Sequence, residues 1–203
     1  ALAHHAELLD RRATAGRVRR CHGDLHLRNI VVLDEAIVPF DAIEFDETLA
    51  TIDVLYDLAF LVMDLGFVGS RAAAGLVLNR YLDVTGDGGG LAALPFFLST
   101  RAAIRAHVDA TMAAGGGPQQ AERLVVDARR YLAEAHAYLR ERTPRLIAIG
   151  GLSGSGKSKL ARGLAPWLGP PPGARVVRSD VVRKRLAGVA PEGRLDETHY
   201  TED

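Results

Sequence analysis

The chain has a single cysteine, Cys21, so no internal disulfide can form, and none of its seven histidines stands at a metal-ligand spacing from it. A reducing, cytoplasmic setting is the expectation. An excess of either charge is also missing: Lys+Arg and Asp+Glu both number 25, for a formal net charge of zero. That balance excludes a broad field that would gather nucleic acid or anionic lipid, so neither partner is expected and any phosphate recognition has to be local. No apolar run approaches the roughly 20 residues that span a bilayer, the nearest being Leu58 to Met63. What is present is ordinary globular material, 48% hydrophobic over 203 residues, enough for one large domain or two small ones. The sequence opens Ala1-Leu2-Ala3 and stops at Thr201-Glu202-Asp203; neither end reads as a natural terminus, and a segment of something longer is expected.

Short apolar runs at Ile30 to Leu33 and Ile37 to Phe40 flank Asp34-Glu35-Ala36, which predicts a tight hairpin. Helix spacing follows. Leu55, Leu58, Ala59, Val62 and Leu65 form one core-facing stripe; Leu94, Phe97, Arg101, Ile104, Val108 and Met112 form a second; Leu124, Ala128, Tyr131, Ala135, Tyr138 and Leu139 form a third. Gly86 to Gly90 and Gly115 to Pro118 fall between helices, follow no strand and carry no Lys-Ser pair, so they read as plain loops. Thr143-Pro144 ends the helical pattern, which gives way to a predicted strand at Leu146 to Ile149, a glycine-rich loop and another helix. This divides the chain into domains 1–143 and 144–203.

The segment His22-Gly23-Asp24-Leu25-His26-Leu27-Arg28-Asn29 sets an aspartate five residues before an asparagine, the offset found in protein-kinase catalytic loops. Phosphoryl transfer needs a carboxylate at the acceptor hydroxyl and, close by, oxygen ligands for magnesium on the ATP phosphates. One loop can hold both. Asn29 enters the first hairpin strand and Asp41 leaves the second, so antiparallel pairing brings these oxygen donors to the hairpin's open end.

HGDLHLRN, followed by PFDAIEF and DVLYDLAF, resembles the aminoglycoside phosphotransferase and choline kinase superfamily, and in particular bacterial proteins that fuse such a domain to a P-loop kinase-like domain. The resemblance covers roughly residues 1 to 140. It implies a mainly α protein-kinase-like C-terminal lobe with a β-hairpin. It further implies that Asp24 is the catalytic aspartate, that Asn29 and Asp41 are magnesium ligands, and that Asp57 buttresses the loop; Asp53 and Glu44 are weaker candidates. Kinases of this type clamp ATP between two lobes. Only some twenty residues precede His22, and Ala1 to Arg12 reads as a helix ending, so the fragment by itself is expected to transfer phosphate poorly.

Gly151-Leu152-Ser153-Gly154-Ser155-Gly156-Lys157-Ser158 satisfies the Walker A pattern between a predicted strand and a predicted helix. Gly151, Ser153, Gly154, Ser155 and Gly156 would turn backbone N–H groups around a phosphate, Lys157 would reach the β and γ phosphates, and the Ser158 hydroxyl would ligate magnesium. Arg175 to Arg178 reads as the next parallel strand and Val181 to Leu186 as a helix, leaving Asp180 either an acceptor-side catalytic carboxylate or a simple helix N-cap. This second part is similar to the beginning of an α/β P-loop NTPase domain of the gluconate kinase and zeta-toxin type, and the resemblance leads one to expect further residues of such a domain after it.

The function expected from these motifs is an ATP- and Mg2+-dependent phosphotransferase acting on a small-molecule hydroxyl. Two other readings stay open. One is a nucleotide-sensing module that binds ATP without catalysis; the other is a P-loop ATP hydrolase driving a partner. The acceptor and the oligomeric state are not written in these residues.

Overall fold

In the computed structural model, which describes residues 2–141, 143–189 and 193, the chain opens with helix α1 (Leu2–Thr14) and a three-residue strand β1 (Val18–Arg20). The hairpin then forms from β2 (Ile30–Leu33) and β3 (Ala36–Pro39), with Ile30 opposite Pro39 and Leu33 opposite Ala36. Its turn is two residues long where three were expected. Asp34 and Glu35 both take positive φ, 47° and 65°, the primed turn whose twist matches paired strands, so Ala36 already belongs to the ladder. After α2 (Glu47–Ala50), capped by Asp46 through the N–H groups of Thr48 and Leu49, strand β4 (Thr51–Asp53) returns to pair with β1. Residues 21–50 are therefore a long excursion closed at its base by this small sheet.

Four helices make the core: α3 (Val54–Phe67), α4 (Arg71–Thr85), α5 (Leu94–Gly115) and α6 (Pro118–Tyr138). Leu55, Ala59, Val62 and Met63 of α3 are buried against Leu78 and Leu82 of α4, Leu98 and Ala102 of α5, and Tyr131 and Ala135 of α6. The first stripe follows the sequence expectation, and so does the third except at Leu139, which is exposed beyond the end of α6. The second holds at Leu94, Phe97 and Arg101 but not at Ile104 and Met112, which are exposed; the buried face also takes in Leu98, Ala102 and Ala106. Alanines there admit close helix approach, which a reading weighted towards large apolar residues passes over. Helix α4 was not foreseen at all. Tyr131 stacks on Phe67 with centroids 3.7 Å apart, joining α6 to the end of α3.

A buried ionic cluster ties the first helix to this core. Arg12 forms a double hydrogen bond with Asp53 (2.6 and 2.8 Å) and another with Asp87 (2.7 and 2.8 Å), while Tyr81 donates to Asp87 at 2.7 Å. Asp53 also caps α3 by accepting from Leu55 N–H, so it is structural. Burial raises the Asp87 pKa, but hydrogen bonds from Arg12 and Tyr81 and the charges of Arg12 and Arg17 outweigh it and hold the carboxyl below its ordinary range. The loop expected to be plain is thus part of the core. Residues 88–92 form a short 3-10 helix, and a Cβ on Gly90 would collide with the Arg12 guanidinium.

Beyond α6 the described residues form α7 (Lys157–Leu164), a 3-10 turn at 165–167 and α8 (Ser179–Leu186). The strands expected at 146–149 and 175–178 do not form: both segments lack ladder partners among the described residues, and Leu146 is 98% exposed. Apolar content alone does not make a strand; its N–H and C=O groups need a neighbour to pair with. The second segment is held by a side chain instead. Asn79 of α4 donates to Ala174 O (3.1 Å) and accepts from Val176 N–H (2.8 Å), and Arg175 reaches Asp83 at 2.5 Å. No helix among the described residues is long and apolar enough to cross a membrane.

Candidate active site

The loop from His22 to Asn29 begins just after β1 and ends at β2, so its two ends are fixed by different sheets. Its middle is held by α3. Asp57 accepts from His22 N–H at 3.0 Å on Oδ2 and from Gly23 N–H at 2.9 Å on Oδ1, and Asp64 accepts from Leu27 N–H at 2.9 Å. These two aspartates lie seven residues apart, two turns of an otherwise almost wholly apolar helix, and so share one face. Gly23 has φ 83°, and a Cβ on it would come within 2.8 Å of Ile43, so a side chain is excluded there. The His22 ring reaches Phe40 O at 2.8 Å, and its carbonyl accepts from Ile43 N–H at 2.9 Å, which fastens the loop to the far end of the hairpin.

Asp24 stands at the centre with its side chain 43% exposed. Asn29 Nδ2 donates to both its main-chain oxygen and its Oδ2, each at 3.0 Å. His26 Nε2 lies 3.3 Å from the same Oδ2. The Nδ1 of His26 accepts from Arg28 N–H at 3.2 Å, which leaves the ring proton on Nε2, facing Asp24. Both contacts to the carboxylate fall on Oδ2, and Oδ1 is the oxygen left for a reacting group.

The backbone of Asn29 pairs with that of Phe40, the neighbour of Asp41, at the hairpin's open end. Phe40 N–H donates to Asn29 O at 2.9 Å, which sets Asp41 one residue past the last bond of the ladder. Asp41 is exposed and takes φ 60°, a left-handed conformation uncommon outside glycine. The Asn29 amide nitrogen is committed to Asp24, so the amide oxygen is the Asn29 side-chain atom that could still serve as a ligand. One amide oxygen and one carboxylate are the hard donors that suit magnesium, an ion that keeps several waters and takes phosphate oxygens for the remainder. No group of three His, Cys, Asp or Glu side chains among the described residues could hold a metal by itself. Glu44 is exposed.

Arg101 completes the support under the loop. Its guanidinium lies 3.9 Å from the Tyr56 ring centroid and 4.8 Å from that of Phe60, with Nη2 at 3.8 Å from Asp57 Oδ1. Burial lowers its pKa, opposed by Tyr56, Asp57 and Asp24. Cys21, next to the loop, is pushed up to about 11 by burial and by the charges of Asp57 and Asp53, so its thiol stays protonated.

Residues 1–97 match the model of a phosphotransferase enzyme family. The match ends just inside α5 and takes in the His22 loop, the hairpin and Asp57, which supports a phosphotransferase in general terms. Uncharacterised proteins of Mycobacterium tuberculosis and Mycobacterium bovis are each 36% identical to the chain over 177 residues, covering 85% of it and 34% of their own length. The chain thus spans about a third of the curated relatives it matches. No solved structure matches it.

The Gly151 loop is built differently. Gly154 and Gly156 take φ 77° and 84°, α7 starts at Lys157, and Lys157 Nζ folds back onto the carbonyls of Gly151 (2.6 Å) and Leu152 (2.5 Å). Ser158 sits in the first turn of α7, while Ser153 and Ser155 lie exposed in the loop. Asp180 is neither at a strand end nor an N-cap: it lies in the first turn of α8, where Lys184 Nζ approaches it at 3.1 Å, and the cap position belongs to Arg178.

Asp64, Arg101 and His26 are site residues that sequence reasoning did not single out. A second aspartate two turns after Asp57 in an apolar helix, and an arginine inside a core-facing stripe, were the available signals.

Proposed function

We propose that this chain carries the catalytic loop of an ATP-dependent phosphotransferase that acts on a small-molecule hydroxyl, and a second nucleotide-phosphate site at Gly151 to Ser158. The observation that carries the reading is the way Asp57 and Asp64 pin the backbone around Asp24 while leaving one oxygen of a half-exposed carboxylate without a partner. A base so placed can accept the hydroxyl proton as the acceptor oxygen takes the γ-phosphoryl group and ADP leaves. Asn29 fixes the orientation of Asp24, and its amide oxygen together with Asp41 would hold magnesium, which neutralises charge on the phosphates when bound. At the second site Ser158 would be the magnesium ligand and Lys157 would exchange its loop carbonyls for phosphate. Asp180 would act on an acceptor only after leaving Lys184. The acceptor itself is set by regions that vary freely on one fold.

The test is transfer of label from γ-labelled ATP to a metabolite panel by the full-length protein, its Asp24→Asn variant and its Lys157→Ala variant. Loss of transfer in Asp24→Asn supports the reading, and undiminished transfer refutes it. ATP binding with no transfer to any acceptor assigns the protein to nucleotide sensing instead.

A further inference from the structure

We infer that Arg101 is a positioning residue for the His22 to Asn29 loop, acting through Asp57; its consequence for turnover rests on the phosphotransferase reading above. Asp57 is 7% exposed and spends both oxygens on the N–H groups of His22 and Gly23. Two backbone donors orient the carboxylate but bring no full charge to balance it, and a buried carboxylate without a nearby cation is costly. Arg101 is the cation paired with it among the described residues, and it sits on a different helix, α5.

The geometry separates this role from ordinary core packing. At 3.8 Å the Arg101 Nη2 is too far from Asp57 Oδ1 for a hydrogen bond, and that nitrogen is buried with no hydrogen-bond partner at all. An arginine kept 6% exposed with an unsatisfied nitrogen is held for its charge rather than for a bond. Its position is fixed from the sides: the Tyr56 and Phe60 rings flank the guanidinium, and Nε donates to Tyr56 O at 3.3 Å. A flat cation fits between two rings as a compact ammonium does not. Both rings come from α3, one residue before Asp57 and three after it, so the helix that carries the carboxylate also grips its counter-charge.

The experiment reads amide hydrogen exchange at His22 and Gly23 in the full-length protein, with Leu78 and Leu82 of α4 as internal references, alongside steady-state transfer. Arg101→Met is expected to speed exchange at His22 and Gly23 by about tenfold over the α4 amides, equivalent to about 1.4 kcal/mol, and to lower kcat while leaving KM for ATP near its original value. In an Asp57→Asn background the same change should add little, because two residues acting in series are not additive. Arg101→Lys keeps the charge and should restore part of the protection; it also serves as the informative variant if Arg101→Met does not fold. Exchange at His22 and Gly23 that is unchanged, or that rises only in step with Leu78 and Leu82, overturns the inference. If the amides respond as expected while wild-type protein transfers phosphate to no acceptor, the positioning role stands and the phosphotransferase reading falls.

Discussion

The His22 loop and the Gly151 loop are both expected from sequence to handle phosphate, yet the first is held by residues far away in sequence and the second by its own neighbours. His22, Gly23 and Leu27 are fastened by carboxylates 34 to 37 positions along the chain. Lys157, by contrast, closes on carbonyls five and six residues away, and Ser155 N–H bonds Leu152 O. A loop of the first kind inherits its geometry from the core and is lost with it; one of the second kind carries its geometry with its sequence. Disturbing the scaffold should therefore damage one site and spare the other.

The largest effect belongs to the carboxylate at the centre of the first loop. Asp24→Ala in the full-length protein should lower kcat by roughly 10²- to 10⁴-fold, the usual contribution of a general base. Steady-state transfer measures it, and a loss of less than about threefold would remove Asp24 from the chemistry.

The next largest is structural. Arg12→Met leaves Asp53 and Asp87 buried without their shared cation, a change that costs about 3 to 5 kcal/mol and should lower Tm by about 10 °C. Asp87 is held below its ordinary 3.8, so its contribution is fully present above that value and is lost as pH falls through the lowered one. Wild-type Tm should thus drop as pH falls below about 4, and the drop should be shallower in Arg12→Met. Thermal unfolding across pH checks both, and an acid dependence unchanged in the variant would show that the cluster is not its source.

A smaller change is expected where the two halves touch. Asn79→Ala removes the bonds to Ala174 and Val176, about 1 kcal/mol each, so amide exchange over 174–178 should rise by about tenfold while His22 and Gly23 keep their protection. Equal loosening of both regions would mean that the comparison drawn above is wrong.

How much could be read in advance follows the same division between local and distant. The stripe of α3 and, Leu139 apart, that of α6 were legible because helix periodicity is local, as was the helix that starts at Lys157. The hairpin was legible too, though its turn was set one residue too long, since Glu35 is an unusual occupant of positive φ. Helix α4 left only Ala74, Leu78 and Leu82 at a spacing of four, interrupted by Gly75. The β1–β4 closure was hidden for a different reason: Val18-Arg19-Arg20 is too short to alternate, and its partner strand starts only at Thr51. In the site, the roles of Asp24 and Asn29 were suggested by spacing, whereas Asp64 and Arg101 matter only because α3 and α5 bring them under the loop.

The most direct test of two separately built sites is calorimetric titration of ATP with magnesium into full-length protein carrying either Asp24→Ala or Lys157→Ala. On the proposed reading Lys157 would make a charge-assisted bond to phosphate worth about 1.5 to 3 kcal/mol, so its loss should weaken the Gly151-loop isotherm by roughly tenfold to a hundredfold. On the same reading Asp24 would act on the acceptor, and its loss should leave ATP affinity within about threefold of wild type. Abolished binding in Asp24→Ala with intact binding in Lys157→Ala would contradict the account.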